Sequence, residues 1–112
     1  MDARYKLWYS FTNPPVINDT VLTGQIRPFI EEVIGPENVV RFNAPYPFAH
    51  EDFALYAQLV PAVFLWLGTA NHEQGIYSLL HSADYDIDEA ALVTGVTAMS
   101  YLLFQLSYAL LE

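Results

Sequence analysis

The end of the chain constrains its fold most, because residues 90–111 contain no charged side chain. A helix of this length could cross a bilayer. Within it, apolar residues recur at alternating steps of four and three, which predicts an amphipathic helix with one buried face: Leu92, Val96, Met99, Leu103, Leu106 and Leu110. Acidic residues rather than basic ones precede the stretch, so we interpret it as a core helix and expect no membrane contact.

The composition is that of a single globular domain. The chain has 112 residues, 54% of them hydrophobic and 15% aromatic, and it contains no cysteine. This hydrophobicity excludes disorder, and the lack of cysteine excludes disulfides, thiolate metal sites and a cysteine nucleophile. The formal net charge is −9 and only four residues are basic, so a nucleic acid partner is not expected.

The rest of the chain predicts strands that alternate with helices. Strands are expected over residues 5–11, 39–42 and 62–67, because these runs are rich in aromatic or apolar residues. Residues 62–67 are apolar at every position, as in a strand that is covered on both faces. This order of elements predicts an α/β fold, in which helices pack on a small, mostly parallel sheet.

Capping residues set the expected limits of the helices. Asn18 or Asp19 can cap a first helix that ends before Gly35, and Pro28 should kink or divide it. A second helix is expected to start at Glu51-Asp52, to bury Phe53, Tyr56, Leu59 and Val60, and to end at Pro61. Asp86 or Asp88 can cap the final helix. The sequon at Asn18 is expected to be unused, because nothing else indicates secretion.

Local motifs leave the chemistry open. The run Asp84-x-Asp-x-Asp is not an EF-hand, because Glu89 stands where the turn needs glycine. Neither Ser78 nor Ser82 lies in a glycine-flanked nucleophile turn, and no glycine-rich phosphate loop is present. Because the chain has no cysteine, any metal site must use histidine and carboxylate ligands. The candidates are His50, Glu51, Asp52, His72, Glu73, His81, Asp84, Asp86, Asp88 and Glu89.

Three stretches in order resemble the C-terminal part of a zinc-dependent amidohydrolase family, an aminoacylase-type metallopeptidase group. They are HEDFALY at 50–56 with Val60-Pro61, FLWLG at 64–68, and LHS at 80–82 followed by YDIDEAAL at 85–92 and Gly95. The family is that of hippurate hydrolase, N-acyl-L-amino-acid amidohydrolases and the auxin-conjugate hydrolases. His50 and Ala62 depart from its pattern, which has a small residue and a glycine at these positions.

The resemblance implies a place in a larger enzyme. Residues 1–16 would be the last strand and exit of a lid-type domain, and residues 17–112 the C-terminal part of the catalytic domain. His81 would be a ligand of one of two metal ions, usually zinc, while Glu51 and Asp52 would cap a helix or line the pocket wall. The family's other ligands and its general base precede this region, so no catalytic residue is expected within the chain.

These implications give two competing functional hypotheses. In the first, the chain is part of a cytoplasmic enzyme that hydrolyses N-acyl amino acids or related amides, and it is inactive in isolation. In the second, it is a non-catalytic oligomerising or regulatory module; a homo-oligomer is expected in either case. A third and weaker hypothesis is a ligand-binding domain built on Tyr46, Phe48, Phe53 and Trp66. The substrate's acyl group and amino acid stay open.

Overall fold

Two long helices dominate the structure, a computed structural model that describes residues 3–10, 13–41 and 51–109. Helix α1 spans Thr20–Ile34, the short helix α2 spans Phe53–Tyr56 and helix α3 spans Ala90–Ala109. Short 3-10 helices lie at Pro36–Asn38 and His72–Gln74. The architecture of the described part is therefore helical.

The predicted α/β fold with a parallel sheet is wrong. Across the described ranges no strand forms, and the only β pairing is an isolated antiparallel bridge between Asn71 and Ile76. Residues 5–10, 39–41 and 62–67 were expected to form strands but have no neighbouring strand; Phe11 and Phe42 lie outside the described residues. Residue type favours an extended backbone, whereas a strand also needs a partner for its N–H and C=O groups.

Helix α1 has the ends that its sequence predicts. The backbone N–H of Leu22 donates to the Asp19 carboxylate at 2.7 Å, so Asp19 is the N-cap. At the other end Gly35 has φ +85°, a conformation that favours glycine, and its N–H donates to the carbonyl of Glu31. The helix continues through Pro28 without a break, so Pro28 does not divide it, and the alternative expectation of a kink stays a prediction.

The described core lies between α1 and α3. Ile26, Ile30 and Leu102 are buried against one another, and Leu106 and Val63 pack beside them. Full burial of such side chains contributes about 1.5–3 kcal/mol each. This contact holds the two long helices together and places the segment around residue 63 beside them.

The buried face of α3 differs from the predicted one. Leu102 points inward, whereas Val96 and Leu103 of the predicted stripe are 68% and 59% exposed. Leu92 and Met99 are also exposed, Leu106 is half-buried, and Leu110 lies outside the described residues. The first half of the face turned inward consists of the small residues Ala91, Gly95 and Ala98, which recur with the same period about 100° around the helix.

Gly95 shows why the small residues face inward. A Cβ atom at this position would lie 2.8 Å from Cδ2 of Leu67, so the absence of a side chain lets the 62–67 segment approach the helix. The predicted buried side of the second helix is also wrong. Ala54 is buried, while Tyr56, Leu59 and Val60 are exposed. Hydrophobic periodicity identified the helices but not their buried faces.

A side chain takes the place of a neighbouring strand beside residues 62–64. The Asn18 carboxamide donates to the carbonyl of Phe64 at 3.0 Å and accepts from its N–H at 2.8 Å. The backbone N–H of Asp19 donates to the carbonyl of Ala62 at 2.9 Å. Asn18 thereby joins the start of α1 to the 62–67 segment, and a glycan on its amide nitrogen would disturb this pairing.

The molecule exposes far more surface than a closed domain of its size. Its accessible surface is 9903 Å², against about 6,200 Å² for a folded monomer of this mass. Its radius of gyration is 18.4 Å, against about 13 Å for a compact domain of this length. Among the described helices, α3 is also long and apolar enough to cross a membrane. Much apolar surface, including one face of α3, is therefore uncovered.

We predict that Asn18→Ala lowers the free energy of unfolding by about 1–3 kcal/mol, because both partly buried backbone groups of Phe64 lose their partner. Urea denaturation with an unchanged m-value measures the loss. Asn13→Ala is the matched control. It removes one exposed hydrogen bond to Asp52 and should change stability by less than about 0.5 kcal/mol. Equal losses in the two variants would contradict the role of Asn18.

Candidate functional site

His81 lies in a loop that connects the 62–67 segment to α3, and we call residues 69–88 the His81 loop. At its base, the N–H of Asp88 donates to the carbonyl of Thr69 at 2.9 Å, and the Asn71 amide donates to the Asp88 carboxylate at 2.7 Å. The other Asp88 oxygen accepts from the N–H of Ala90 at 3.0 Å, which confirms Asp88 as the cap of α3. Both ends of the loop are thus fixed at the first turn of α3.

These bonds also set the charge state of Asp88. The Asn71 amide and the N–H of Ala90 both donate to its carboxylate and hold the pKa of Asp88 below its ordinary value. The carboxylate therefore stays ionised, as a residue at a helix N-terminus is favoured to be.

The first half of the His81 loop is a tight turn. Asn71 and Ile76 exchange backbone hydrogen bonds of 2.6 and 2.8 Å, and Gly75 takes the left-handed conformation with φ +77°. The imidazole of His72 stacks on the ring of Tyr77, with ring centres 5.7 Å apart and planes 6° from parallel. His72 is therefore a ring-packing residue of this turn.

His81 itself has an unusual backbone. Its φ is +69°, and it is the only non-glycine residue with positive φ in the described part of the chain. For a residue with a side chain, this left-handed conformation costs about 1–2 kcal/mol. Just before it, Leu79 accepts at its carbonyl from both the N–H and the hydroxyl of Ser82, so His81 lies within a hydrogen-bonded turn. Its side chain is exposed.

A second bond closes a smaller loop around His81, residues 78–84, which we call the inner loop. The Ser78 hydroxyl donates to the Asp84 carboxylate at 2.6 Å. Hydrogen bonds from the Ser78 hydroxyl and from the backbone N–H of Asp84 hold the pKa of Asp84 below its ordinary value. Asp84 is thus an ionised acceptor that joins the two ends of the inner loop.

The described residues do not form a complete metal site. Over residues 3–10, 13–41 and 51–109, no three histidine or carboxylate side chains come together as a metal centre requires. A catalytic zinc ion usually has three protein ligands, so His81 is at most one ligand of a larger set. His50, the third histidine, lies outside the described residues.

Glu51 and Asp52 lie at the start of α2. Asp52 occupies the N-cap position, but its carboxylate makes no bond to the helix and accepts instead from the Asn13 amide at 2.8 Å. The carbonyl of Glu51 accepts from the N–H of Ala54 at 3.1 Å, which begins the first turn. Asp52 therefore ties the segment before α1 to α2, and a pocket-wall role for the two residues stays a prediction.

Two of the aromatic residues considered for ligand binding, Phe53 and Trp66, each contact the ring of Phe64. The ring of Phe64 lies 5.3 Å from that of Phe53 and 5.6 Å from that of Trp66, measured between centres. These contacts pack α2 onto the 62–67 segment, which favours a structural role for Phe53 and Trp66. The other two candidates, Tyr46 and Phe48, lie outside the described residues.

Sequence reasoning missed three residues of this region. Ser78 was considered only as a nucleophile, Asp84 only as part of an acidic run, and Asn71 not at all. Asn71 could have been found, because asparagine side chains in turns commonly accept from the backbone a few residues on, as Asn71 does from the N–H of Gln74. The pairing of Ser78 with Asp84 has no such signal, since it depends on the path of the backbone between them.

Comparison with known proteins places this region in a family. The family model described as peptidase family M20/M25/M40 matches residues 4–105. A probable hydrolase of Synechocystis is 32% identical over 103 residues, which is 92% of this chain and 26% of that protein. An uncharacterized hydrolase of Staphylococcus aureus is 36% identical over 92 residues, 80% of this chain and 23% of that protein.

A relative with a different name matches equally well. A putative glutamate–cysteine ligase of Rhodococcus jostii is 32% identical over 102 residues, 88% of this chain but 12% of that protein. The chain thus spans 12–26% of the length of these three relatives. No solved structure matches it. The resemblance described above is confirmed for the family as a whole, and since the family model matches nearly the full length, the chain belongs to peptidase family M20/M25/M40.

Proposed function

We propose that this chain forms the C-terminal part of the catalytic domain of a cytoplasmic, metal-dependent hydrolase of N-acyl amino acids or related amides. In this proposal His81 is one ligand of a divalent metal ion, with zinc the expected metal. The family generally uses divalent metals, and two of the relatives are named as hydrolases. The resemblance of residues 50–95 to N-acyl-amino-acid amidohydrolases supports the proposed substrate class of the whole protein.

The conformation of His81 carries the proposal. His81 matches the family's metal ligand. Within the described ranges it is also the non-glycine residue that has a left-handed backbone, and its imidazole is exposed. Backbone conformations of this kind concentrate at functional sites, where the surrounding structure holds them. A histidine fixed in this way can present a ring nitrogen to a metal whose other ligands lie on another part of the protein.

The exposed surface supports a larger assembly around the chain. The accessible surface is 9903 Å², and the apolar stripe of α3 together with Leu65 and Leu67 is exposed. Apolar areas of more than a few hundred Å² usually mark interfaces. We infer that the other metal ligands and the general base belong to protein that packs against these surfaces.

The isolated chain should not hydrolyse N-acyl amino acids such as N-benzoylglycine, even with zinc, manganese or cobalt added. A single histidine cannot replace the three ligands that a catalytic zinc site usually has. Release of free amino acid by the purified chain measures this. Metal-dependent turnover that His81→Ala abolishes would show instead that the chain builds its own active site.

An exchange of segments tests the role of His81 in a whole enzyme. The matching quarter of the Synechocystis relative would be replaced by this chain, and bound zinc per polypeptide would be measured after dialysis. His81→Ala should lower the zinc content by about one ion per chain, and activity should fall at least about 100-fold because a catalytic metal ligand is lost.

His72→Ala is the matched control for this exchange. It removes a histidine of the same loop that stacks on Tyr77, so zinc content and activity should stay close to those of the unchanged exchange protein. If His81→Ala retained its full zinc content as well, His81 would not be a ligand and the proposed function would fail.

A second candidate function, a non-catalytic oligomerising module, is favoured by the apolar stripe on α3. Leu92, Val96, Met99 and Leu103 follow one another along the helix and are all exposed. A two-fold dimer in which the stripe of one copy packs against that of the other would cover both. The net charge of −9 opposes such pairing, but salt screens charges beyond about 8 Å under physiological conditions.

We expect the isolated chain to sediment as a dimer at low micromolar concentration, and Leu103→Glu to shift it to a monomer. A charge placed in the centre of the apolar contact would be buried without a partner. Thr97→Glu, on the exposed side away from the stripe, is the matched control and should leave the dimer intact. A folded monomer of the unchanged chain in sedimentation velocity would rule out this candidate.

A further inference from the structure

The inner loop, residues 78–84, contains the bond that closes the backbone around His81. Two short turns lie within or beside it: the carbonyl of Leu79 accepts from the N–H of Ser82 at 3.2 Å, and the carbonyl of Ser82 accepts from the N–H of Tyr85 at 3.2 Å. Each of these bonds spans only three residues. The Ser78–Asp84 bond, at 2.6 Å, spans the whole inner loop and joins its two ends.

The geometry points to Ser78 and Asp84 as positioning residues that hold His81 in its left-handed conformation. Only a few per cent of non-glycine residues adopt positive φ, so a turn free at both ends would let His81 relax to an ordinary conformation. The Ser78–Asp84 bond removes that freedom by fixing the residues on either side of the turn. The significance of this for metal binding rests on the proposed function of His81.

The other bonds of the region do not perform this task. Asn71 and Asp88 tie the ends of the His81 loop to α3, and they leave the part between residues 77 and 85 to be ordered by its own contacts. The Ser82 hydroxyl donates to the carbonyl of Leu79, so this bond spans only the turn around His81 and does not reach Ser78. Metal-binding histidines are commonly oriented by hydrogen-bonded neighbours that are not themselves ligands. Ser78 and Asp84 act one step further away, through the backbone.

Nuclear magnetic resonance of the full chain tests the inference without any metal. A residue with positive φ has its amide and α protons unusually close, so His81 should show a strong cross-peak between them. In Ser78→Ala and in Asp84→Ala this cross-peak should fall to the intensity seen for Leu80 and Ser82. Ser78→Thr keeps the hydroxyl, so His81 should keep its strong cross-peak in this variant.

Asp86→Ala is the matched control, because it removes a carboxylate of the same loop that accepts from the neighbouring N–H of Ile87 and does not join residue 78 to residue 84. It should leave the His81 cross-peak strong. The resonances of α1 and α3 should be unchanged in every variant, which shows that the chain is folded. A strong His81 cross-peak in both Ser78→Ala and Asp84→Ala would overturn the inference, as would a loss that Ser78→Thr does not restore.

This outcome is separable from that of the proposed function. Full zinc retention by His81→Ala in the exchange protein would refute the metal-ligand role and leave the positioning of His81 to be decided by the cross-peak. A persistent left-handed His81 in the alanine variants would refute the positioning role and leave the metal-ligand role in place.

Discussion

The packing of α1 against α3 is the contact on which the rest of the described structure depends. Ile26 and Ile30 on one helix meet Leu102 on the other, and these three side chains form the buried cluster of the described residues. The 62–67 segment packs on this pair through Val63 and through the bonds from Asn18 to Phe64. The His81 loop is then fixed at the first turn of α3 by Asp88. The place of the His81 loop therefore depends on a helix pair that lies some distance from it along the chain.

The sequence predicted those features that depend on a few neighbouring residues. Asp19, Gly35 and Asp88 set helix ends as expected, because capping involves a side chain and the backbone one turn away. His81 was singled out by a short motif within an ordered set, and its role as a metal ligand stays a prediction. The helix ends required no knowledge of how distant segments pack.

Features that depend on distant partners were not predictable in this way. Residues 62–67 are of types that favour strands, but no strand lies beside them, and the side chain of Asn18 bonds the backbone of Phe64 instead. On α3, two stripes share one period, and the smaller residues turn inward, where Gly95 admits the close approach of Leu67 from the 62–67 segment. Periodicity measures only the repeat, so the choice between stripes depends on what lies opposite. The Ser78–Asp84 bond belongs to the same class.

Burial and metal binding would be coupled under the proposed function. The left-handed backbone of His81 has a conformational cost of about 1–2 kcal/mol, which one exposed ligand cannot offset by binding a metal weakly. Protein that covers the stripe of Leu92, Val96 and Leu103 would bury apolar surface, at about 25 cal/mol per Å², and would bring its own ligands toward His81. A few hundred Å² of such contact contributes several kcal/mol, more than the cost at His81. The apolar face of α3 would therefore supply the free energy that assembles the site, and the metal would add stability only once that face is covered.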